Sequence, residues 1–247
     1  MWTAGFDLAL PFSSRLTLSG TYFDISYRDK IQVTTVNLAQ EAQFAELITR
    51  NPTPQQIAAI CGNPSIRLTG DCSGSIAAIL DSRVRNVAQV DTSGIDLSIN
   101  QSVPSTFGTW NLQLGGTYTL EYERALTASA PRADVIDTVG NQLALRLRGG
   151  INWVSGQRSA GAMVHHTGRY RDPTSILSPR VDSLTTVDLN IGLRIGAGSL
   201  FGNSQISISA VNVTDELPPF VDQPDGYDGA NGTLLGRLLS LQLVKTF

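Results

Sequence analysis

Hydrophobic and polar residues alternate along the last strand-like stretch of the chain. Leu239, Leu241 and Leu243 occupy alternate positions, with polar residues between them. Because successive side chains of a β-strand point to opposite faces, the pattern predicts a strand with one apolar and one polar face. The stretch reaches the aromatic Phe247, whereas the terminal residues of most soluble domains fray. We therefore expect Leu239, Leu241, Leu243 and Phe247 to belong to the closing strand of a membrane β-barrel, with the aromatic ring in the interfacial girdle.

The same alternation recurs upstream and predicts about nine strands, each near the ~9–11 residues that cross a bilayer when tilted. The sixth of them is expected to run from Ala160 to Arg171. The connections alternate in length. The short ones are 11–15, 104–108, 155–158 and 196–203, and the long ones are 32–85, 123–142, 172–183 and 214–233. Short periplasmic turns and long extracellular loops are typical of outer-membrane barrels, so we expect residues 32–85 to form a long extracellular loop.

Alternation alone also suits a soluble β-sandwich, which hides its apolar face between two sheets. Three features favour the barrel: the strand lengths, the sorting of loops by length and the aromatic residues near the strand ends. Those aromatic residues are Trp2, Trp110, Tyr118, Tyr122, Trp153, Tyr170 and Phe247. The predicted fold class is therefore an all-β transmembrane antiparallel barrel.

Composition narrows the possible partners. Charged residues make up 16% of the chain and the formal net charge is -3, so no basic face is expected for nucleic acid. No apolar run approaches the ~18–20 residues of a membrane-spanning helix, so any membrane crossing uses strands. The first residues show neither the charged nor the apolar region of a signal peptide. Since outer-membrane proteins need one, we expect residues 1–247 to be the C-terminal portion of a longer protein, inactive alone.

Two cysteines lie eleven residues apart within the longest connection, Cys61 and Cys72. A disulfide between them would stabilise an exterior loop by ~3 kcal/mol in the loop-entropy description. A metal site is the alternative, but it needs further ligands, and the chain's two histidines lie far away in sequence. An oxidising compartment favours the disulfide, and we expect no metal site.

Charged residues recur on the polar face of the strands. His165 and His166 are adjacent, so they are expected on opposite faces, one of them towards the lumen. Such polar-face residues either line a hydrated lumen or contact a plug domain or a passing anionic ligand. The lumen candidates are Asp96, Glu121, Arg146, Arg148, Asp188 and Arg194. No nucleophile elbow, phosphate-binding loop or zinc spacing occurs, so we expect no catalytic residues, no cofactor and no enzyme activity.

Several segments carry a family resemblance. Val211–Phe220 (VNVTDELPPF), Gly226–Asn231 (GYDGAN), Leu235–Arg237 and the final strand resemble the C-terminal end of TonB-dependent outer-membrane receptors. The resemblance continues through residues 22–25, 93–97 and 145–150. Two departures are Val213 and Thr214, where Leu and Phe are usual. A third, Lys245 in the last strand, is mild because a lysine near the interface can snorkel.

The resemblance implies a 22-stranded barrel in the outer membrane of a Gram-negative bacterium, filled by a plug domain absent from this chain. It implies energy-coupled uptake of a bulky nutrient such as a metal chelate (siderophore), cobalamin or saccharide. The implied partners are outer-membrane lipid, the plug, an inner-membrane energy-coupling complex and the barrel assembly machinery. The alternatives are a passive channel or structural barrel, and a soluble carbohydrate-binding β-sandwich.

Overall fold

The computed structural model describes residues 1–10, 15–32, 41–42, 44–70, 72–125, 127, 130–196 and 202–246. One α-helix, α1, spans Pro54–Cys61, and a 3-10 helix spans Ala45–Leu47. The strands are β1 (Trp2–Leu10), β2 (Leu16–Gln32), β3 (Ile48–Arg50), β4 (Ala78–Leu80), β5 (Arg85–Ser105), β6 (Gly108–Ala125), β7 (Ala133–Asp134), β8 (Leu145–Ser155), β9 (Arg158–Thr167), β10 (Tyr170–Arg171), β11 (Arg180–Val181), β12 (Leu184–Ile195), β13 (Ser204–Val211) and β14 (Leu238–Lys245).

The chain divides into two compact units. The first contains Met1–Ile25, Thr92–Tyr122 and Val135–Phe247, and the second contains Ser26–Asp91 and Glu123–Asp134. No helix among the described residues is both long and apolar enough to cross a membrane.

One antiparallel sheet contains the long strands, in the order β1-β2-β5-β6-β8-β9-β12-β13-β14. Long strands that follow one another along the chain are neighbours in the sheet, and β1 and β14 stand at its two ends. This is an up-and-down arrangement. The short β7 pairs with β6 beside this path. The predicted all-β fold of about nine antiparallel strands is thus confirmed.

Two neighbouring rows of residues show how the sheet separates its faces. One row, read across six paired strands, is apolar: Trp110, Trp153, Ala160, Ile191, Ile208 and Leu241. The next row is polar or small: Asn111, Asn152, Gly161, Asn190, Ser209 and Ser240. Because adjacent residues point to opposite faces, one face of this sheet is apolar and the other is polar.

The apolar face is exposed rather than packed. Leu239, Leu241 and Leu243 are 69%, 73% and 63% exposed. In the part of the chain that the structure describes, the other two sheets have only two strands each, so no second sheet covers this face. An apolar face of this extent suits lipid, as in a barrel wall, and rules out the β-sandwich. Phe247 lies outside the described residues.

The second unit holds most of the connection between β2 and β5. Thr53 caps α1: its hydroxyl accepts from the Gln56 backbone N–H (3.3 Å), and its own N–H donates to the Gln56 side chain (2.8 Å). Together with Pro54 in the first turn, this capping box explains why a helix begins here. Just after the helix, Cys61 forms a disulfide with Cys72.

Ion pairs also lie within this unit, and two of them join Arg50 to Glu41 and Arg132 to Asp91. Arg50 donates to both carboxylate oxygens of Glu41 (3.0 and 2.8 Å), and these hydrogen bonds lower the pKa of the Glu41 carboxyl. Arg132 pairs with Asp91 at 2.7 Å. All four side chains are partly or largely exposed, so each pair contributes little to stability.

The sixth predicted strand ends earlier than expected. Alternation suggests a strand from Ala160 to Arg171, but β9 stops at Thr167, and Tyr170 and Arg171 pair instead with Val181 and Arg180. The prediction was wrong here because Tyr170 is buried in a cluster of loop residues, 9% exposed. Burial of an aromatic ring outweighs continuation of a local strand pattern.

Candidate functional site

Two arginines of β8 define the most distinctive part of the polar face. Arg146 pairs with Thr117 of β6 and Thr167 of β9, and Arg148 pairs with Gly115 and His165. Arginines two residues apart on a strand share a face at about 7 Å separation. Two cationic side chains on the same face favour a site that receives negative charge.

A cavity of about 650 Å³ opens over these arginines on the polar face. Of the six lumen candidates, three line it: Asp96, Arg146 and Arg148. His165 also lines it, with serine and threonine side chains from the neighbouring strands. The strand pattern therefore brings together a cationic cluster within a larger polar surface.

The charges of this cavity are unevenly compensated. Asp96 accepts a hydrogen bond from the Thr117 hydroxyl at 2.5 Å. Arg146 donates to the side-chain oxygen of Asn231, a neutral acceptor, and its Nε is buried without a hydrogen-bond partner. Arg148 has no hydrogen bond or ion pair to another described residue and is exposed. The residues that line the cavity thus carry two guanidinium groups and one carboxylate, and a second carboxylate, Asp188, lies behind His165.

His165 is held by a carboxylate from the next strand. Its Nε2 lies 3.1 Å from Asp188 Oδ2, and the other oxygen of Asp188 accepts from the Asn212 backbone N–H at 2.8 Å. Asp188 therefore joins β9, β12 and the turn after β13. His166 lies on the opposite face, where its Nδ1 is 2.8 Å from the Thr185 hydroxyl. Adjacent histidines on opposite faces do not share one ligand.

The other three lumen candidates are not among the residues that line the cationic cavity. Asp188 lines a separate cavity of about 300 Å³, beside Asn190 and Ser209. Arg194 lines a small cavity at the turn between β8 and β9, where its backbone N–H donates to the Gln157 carbonyl (2.8 Å). Glu121 is exposed on the polar face of β6. The described residues contain no group of three His, Cys, Asp or Glu arranged to hold a metal ion.

Three connections of the first unit pack together at a small core. Leu143, Tyr170, Val181 and Val221 form it, with Val139 packed against them. Leu143, Val181 and Val221 are at most 1% exposed. Burial, with the charge of Asp228, raises the pKa of Tyr170 to about 12. These loops are therefore folded structures with a hydrophobic core of their own.

A polar network beside this core contains the residues that sequence reasoning missed. Asp228 is 4% exposed and accepts from the backbone N–H groups of Gly140 and Ala230, both at 3.0 Å. It also accepts from the Asn231 side chain at 2.7 Å. In the sequence, the Gly226–Asn231 segment stands out only through the family resemblance. Its contacts join residues up to 90 positions apart, so no local sequence pattern indicates them.

The raised pKa of Tyr170 predicts how the stability of the folded loops depends on pH. A folded-state pKa above the unfolded value near 10 means that the neutral phenol stabilises the folded loops below pH 10, and this contribution is lost as the pH rises towards 12. Titration of phenolate absorbance should show one late-ionising tyrosine that is missing in Tyr170→Phe. Tyr227→Phe, in the same region, is the control that keeps it. A late phase that survives in Tyr170→Phe would contradict the assignment.

Residues 2–214 match the family model described as TonB-dependent receptor-like, beta-barrel. A comparison with curated proteins found no match.

Solved structures of similar fold are named as receptors and transporters. A mutant of the ferric enterobactin receptor PfeA from Pseudomonas aeruginosa aligns with a TM-score of 0.55 and 16% identity, over 98% of this chain and 30% of that one. The FrpB iron transporter from Neisseria meningitidis aligns at 0.52 and 12%, over 98% and 30%. The siderophore receptor PirA from Acinetobacter baumannii aligns at 0.51 and 12%, over 98% and 31%. The chain thus spans about 30% of the length of these structures.

Proposed function

This chain belongs to the TonB-dependent receptor family and forms part of a transmembrane β-barrel of the Gram-negative outer membrane, and we propose that it lines the path of a bulky anionic metal chelate during energy-coupled uptake. Receptor-mediated uptake is the general activity of the family. The cationic cavity around Arg146 and Arg148 carries the proposal for the substrate class. The printed names of the similar structures, an enterobactin receptor, an iron transporter and a siderophore receptor, support the same class.

The physical basis of the proposal is the charge of the two guanidinium groups and the hydrogen bonds that they donate. Guanidinium groups bind carboxylate and catecholate oxygens through paired N–H donors, and such charge-assisted bonds are about twice as strong as neutral ones. Arg148 is exposed and has its donors available towards the cavity. The nearby carboxylate of Asp96 is already engaged by Thr117. An anion therefore meets more donors than competing acceptors.

We expect Arg148→Gln to weaken binding of a ferric triscatecholate, a trianion, by about 10- to 100-fold, the range for a lost hydrogen bond to a charged group. The measurement is equilibrium binding to the receptor in outer-membrane vesicles. Arg194→Gln is the matched control, since it removes the same charge from the same face outside the cavity.

A neutral ferric hydroxamate serves as the second probe. The proposal predicts little change in its binding on Arg148→Gln. Equal losses for both probes would contradict an anionic substrate. Uptake of the bound chelate that persists after collapse of the proton motive force would favour the alternative of a passive channel and contradict energy coupling.

The rest of the receptor is part of the same proposal. We place residues 1–247 in the C-terminal portion of a barrel of about 22 strands, with earlier strands and the plug supplied by the same receptor. Support comes from β1 and β14, which end the strand order without a partner on one side among the described residues. Unpaired strand edges are not tolerated in lipid, where no water can satisfy them. The proposed protein partners are the plug, the inner-membrane energy-coupling complex and the barrel assembly machinery.

The isolated 247 residues should then fail to form a closed barrel. Refolded in detergent micelles, they are expected to show no heat-modifiable gel mobility and no protease-resistant monomer. The matched control is the complete receptor, refolded in the same micelles. A compact, protease-resistant monomer of the 247 residues that binds a chelate in liposomes would contradict this part of the proposal.

The connection over residues 32–85 is proposed to lie outside the cell, with Cys61 and Cys72 joined there. A membrane-impermeant maleimide added to intact cells should label neither cysteine without reductant and both after reduction. Labelling without reductant would contradict the disulfide. Labelling after reduction that occurs only when the periplasm is opened would contradict the sidedness.

A further inference from the structure

The last long connection of the chain reaches back to the cationic cavity through a single side chain. Asn231 lies in the segment between β13 and β14, and its side-chain oxygen accepts a hydrogen bond from Arg146 Nη2. Arg146 lines the cavity on the polar face. A loop residue and a wall residue separated by 85 positions are therefore in direct contact.

The orientation of the Asn231 amide follows from its other contacts. Its Nδ2 donates to Asp228 Oδ2 (2.7 Å) and to the Asn141 carbonyl (3.1 Å). Both acceptors require the NH₂ group, so the amide oxygen has to face away from them, towards Arg146. Asp228 is itself held by the backbone N–H groups of Gly140 and Ala230. The carboxylate orients the amide, and the amide orients the guanidinium.

Arg146 is incompletely satisfied in this arrangement. Its Nε is buried and has no hydrogen-bond partner, while Nη2, the other donor on that edge of the guanidinium, binds a neutral amide oxygen. A carboxylate or catecholate binds such an edge with two parallel hydrogen bonds. Nε is buried, so an anion in the lumen reaches this edge only when the guanidinium turns towards it. That movement withdraws Nη2 from the Asn231 oxygen, so occupation of the edge competes with the Asn231 contact.

We propose that Asp228 and Asn231 are positioning residues that latch the last extracellular loop to Arg146, and that an anionic ligand in the lumen releases this latch by taking the Nε–Nη2 edge of Arg146. The inference rests on the proposed function for its ligand, but the latch itself exists without one. Its consequence is that loop 226–232 reports whether the cavity is occupied. Asn231→Ala and Arg146→Gln remove the two ends of the same contact.

Hydrogen exchange of the receptor in its outer-membrane form tests the latch first without ligand. Backbone N–H groups of Gly226, Asn231 and Gly232 are hydrogen-bonded within the loop and report its opening. We expect Arg146→Gln and Asn231→Ala each to raise their exchange rates by about 10-fold or more, as for a lost hydrogen bond to a charged group. Asn231→Ala should raise them further than Arg146→Gln, because it also removes the hydrogen bonds to Asp228 and to the Asn141 carbonyl. Adding Arg146→Gln to Asn231→Ala should change nothing more, because the contact that they share is already lost.

Arg148→Gln is the matched control, since it removes a guanidinium from the same strand and face without touching Asn231. Arg146→Lys separates the latch from folding damage: it keeps the charge, but its ammonium lies one bond short of the Nη2 position, so exchange should rise in a protein of unchanged gel mobility. Unchanged exchange in both Arg146→Gln and Arg146→Lys would overturn the latch.

The ligand arm uses the ferric triscatecholate. Saturating chelate should raise loop exchange in the wild type and leave it unchanged in Arg146→Gln, where the latch is already open. Bound chelate with unchanged or slower exchange in the wild type would overturn the release step. Absence of chelate binding would refute the proposed substrate and the release by this ligand, while the ligand-free exchange data still decide whether the latch exists.

Discussion

Leu241→Arg is expected to destabilise the inserted barrel by roughly 2–4 kcal/mol, the cost of an arginine at mid-membrane on the lipid face. Leu241 is 73% exposed and pairs with Ile208 within the apolar row of the sheet. The charged head group has no partner there, and lipid offers none. Unfolding from lipid vesicles by denaturant, together with heat-modifiable gel mobility in outer membranes, measures the loss.

Gln242→Arg is the matched control one position along the same strand. Gln242 pairs with Ser207, whose hydroxyl donates to the Gln242 side-chain oxygen at 3.4 Å on the polar face. An arginine there meets water and polar groups, so the expected change lies within about 0.5 kcal/mol. Equal damage from the two substitutions would show that the faces of β14 are assigned the wrong way round.

Leu143→Ala is expected to cost about 2–5 kcal/mol of local stability in the loop core, the range for emptying a buried leucine site. Leu143 is 1% exposed and packs with Tyr170, Val181 and Val221 from other connections. Losing it should loosen all three connections together, because each contributes to the same cluster. Amide exchange in residues 135–144, 170–181 and 221–232 should accelerate by about 30-fold or more, since each 1.4 kcal/mol is a factor of ten.

The paired strands supply the internal reference for this experiment, because β8, β9 and β12 form continuous ladders that do not depend on Leu143. Leu217→Ala is the control substitution: Leu217 lies in the last connection, which also holds Val221, and is 61% exposed, so its removal should change little. Acceleration confined to residues 135–144 would mean that the three connections open independently and that the core does not couple them.

Such coupling bears on the proposed release of the last loop. If the connections after β6, β9 and β13 share one core, ligand-driven movement of the last loop has to either displace Val221 from that core or stay within the Gly226–Asn231 segment. The latch experiment therefore measures release of Asn231, whereas the Leu143→Ala experiment measures loosening of the loop core. Release of Asn231 should leave exchange near Tyr170 unchanged, whereas loss of Leu143 should raise it.

The alternation of residues by itself determined the strands and their two faces. Leu239, Leu241 and Leu243 are predicted on one apolar face, and in the structure they are exposed on one face of β14. The pairing of strands joined by short turns also follows from the sequence, because a turn of a few residues leaves antiparallel neighbours no other pairing. These features are local: a period of two residues and a short connection are readable without knowing what lies elsewhere in the chain.

Only the tertiary structure decided which residues meet across the connections. The end of β9 at Thr167 depends on burial of Tyr170 among residues from two other connections. The contact between Arg146 and Asn231 likewise joins a strand to a loop 85 residues later. Loops have no periodicity that records such partners, and their contacts arise from the strand order of the sheet, which places the ends of neighbouring loops side by side. The sequence therefore determined the barrel wall, whereas packing among distant segments determined the loop core and the cationic site beside it.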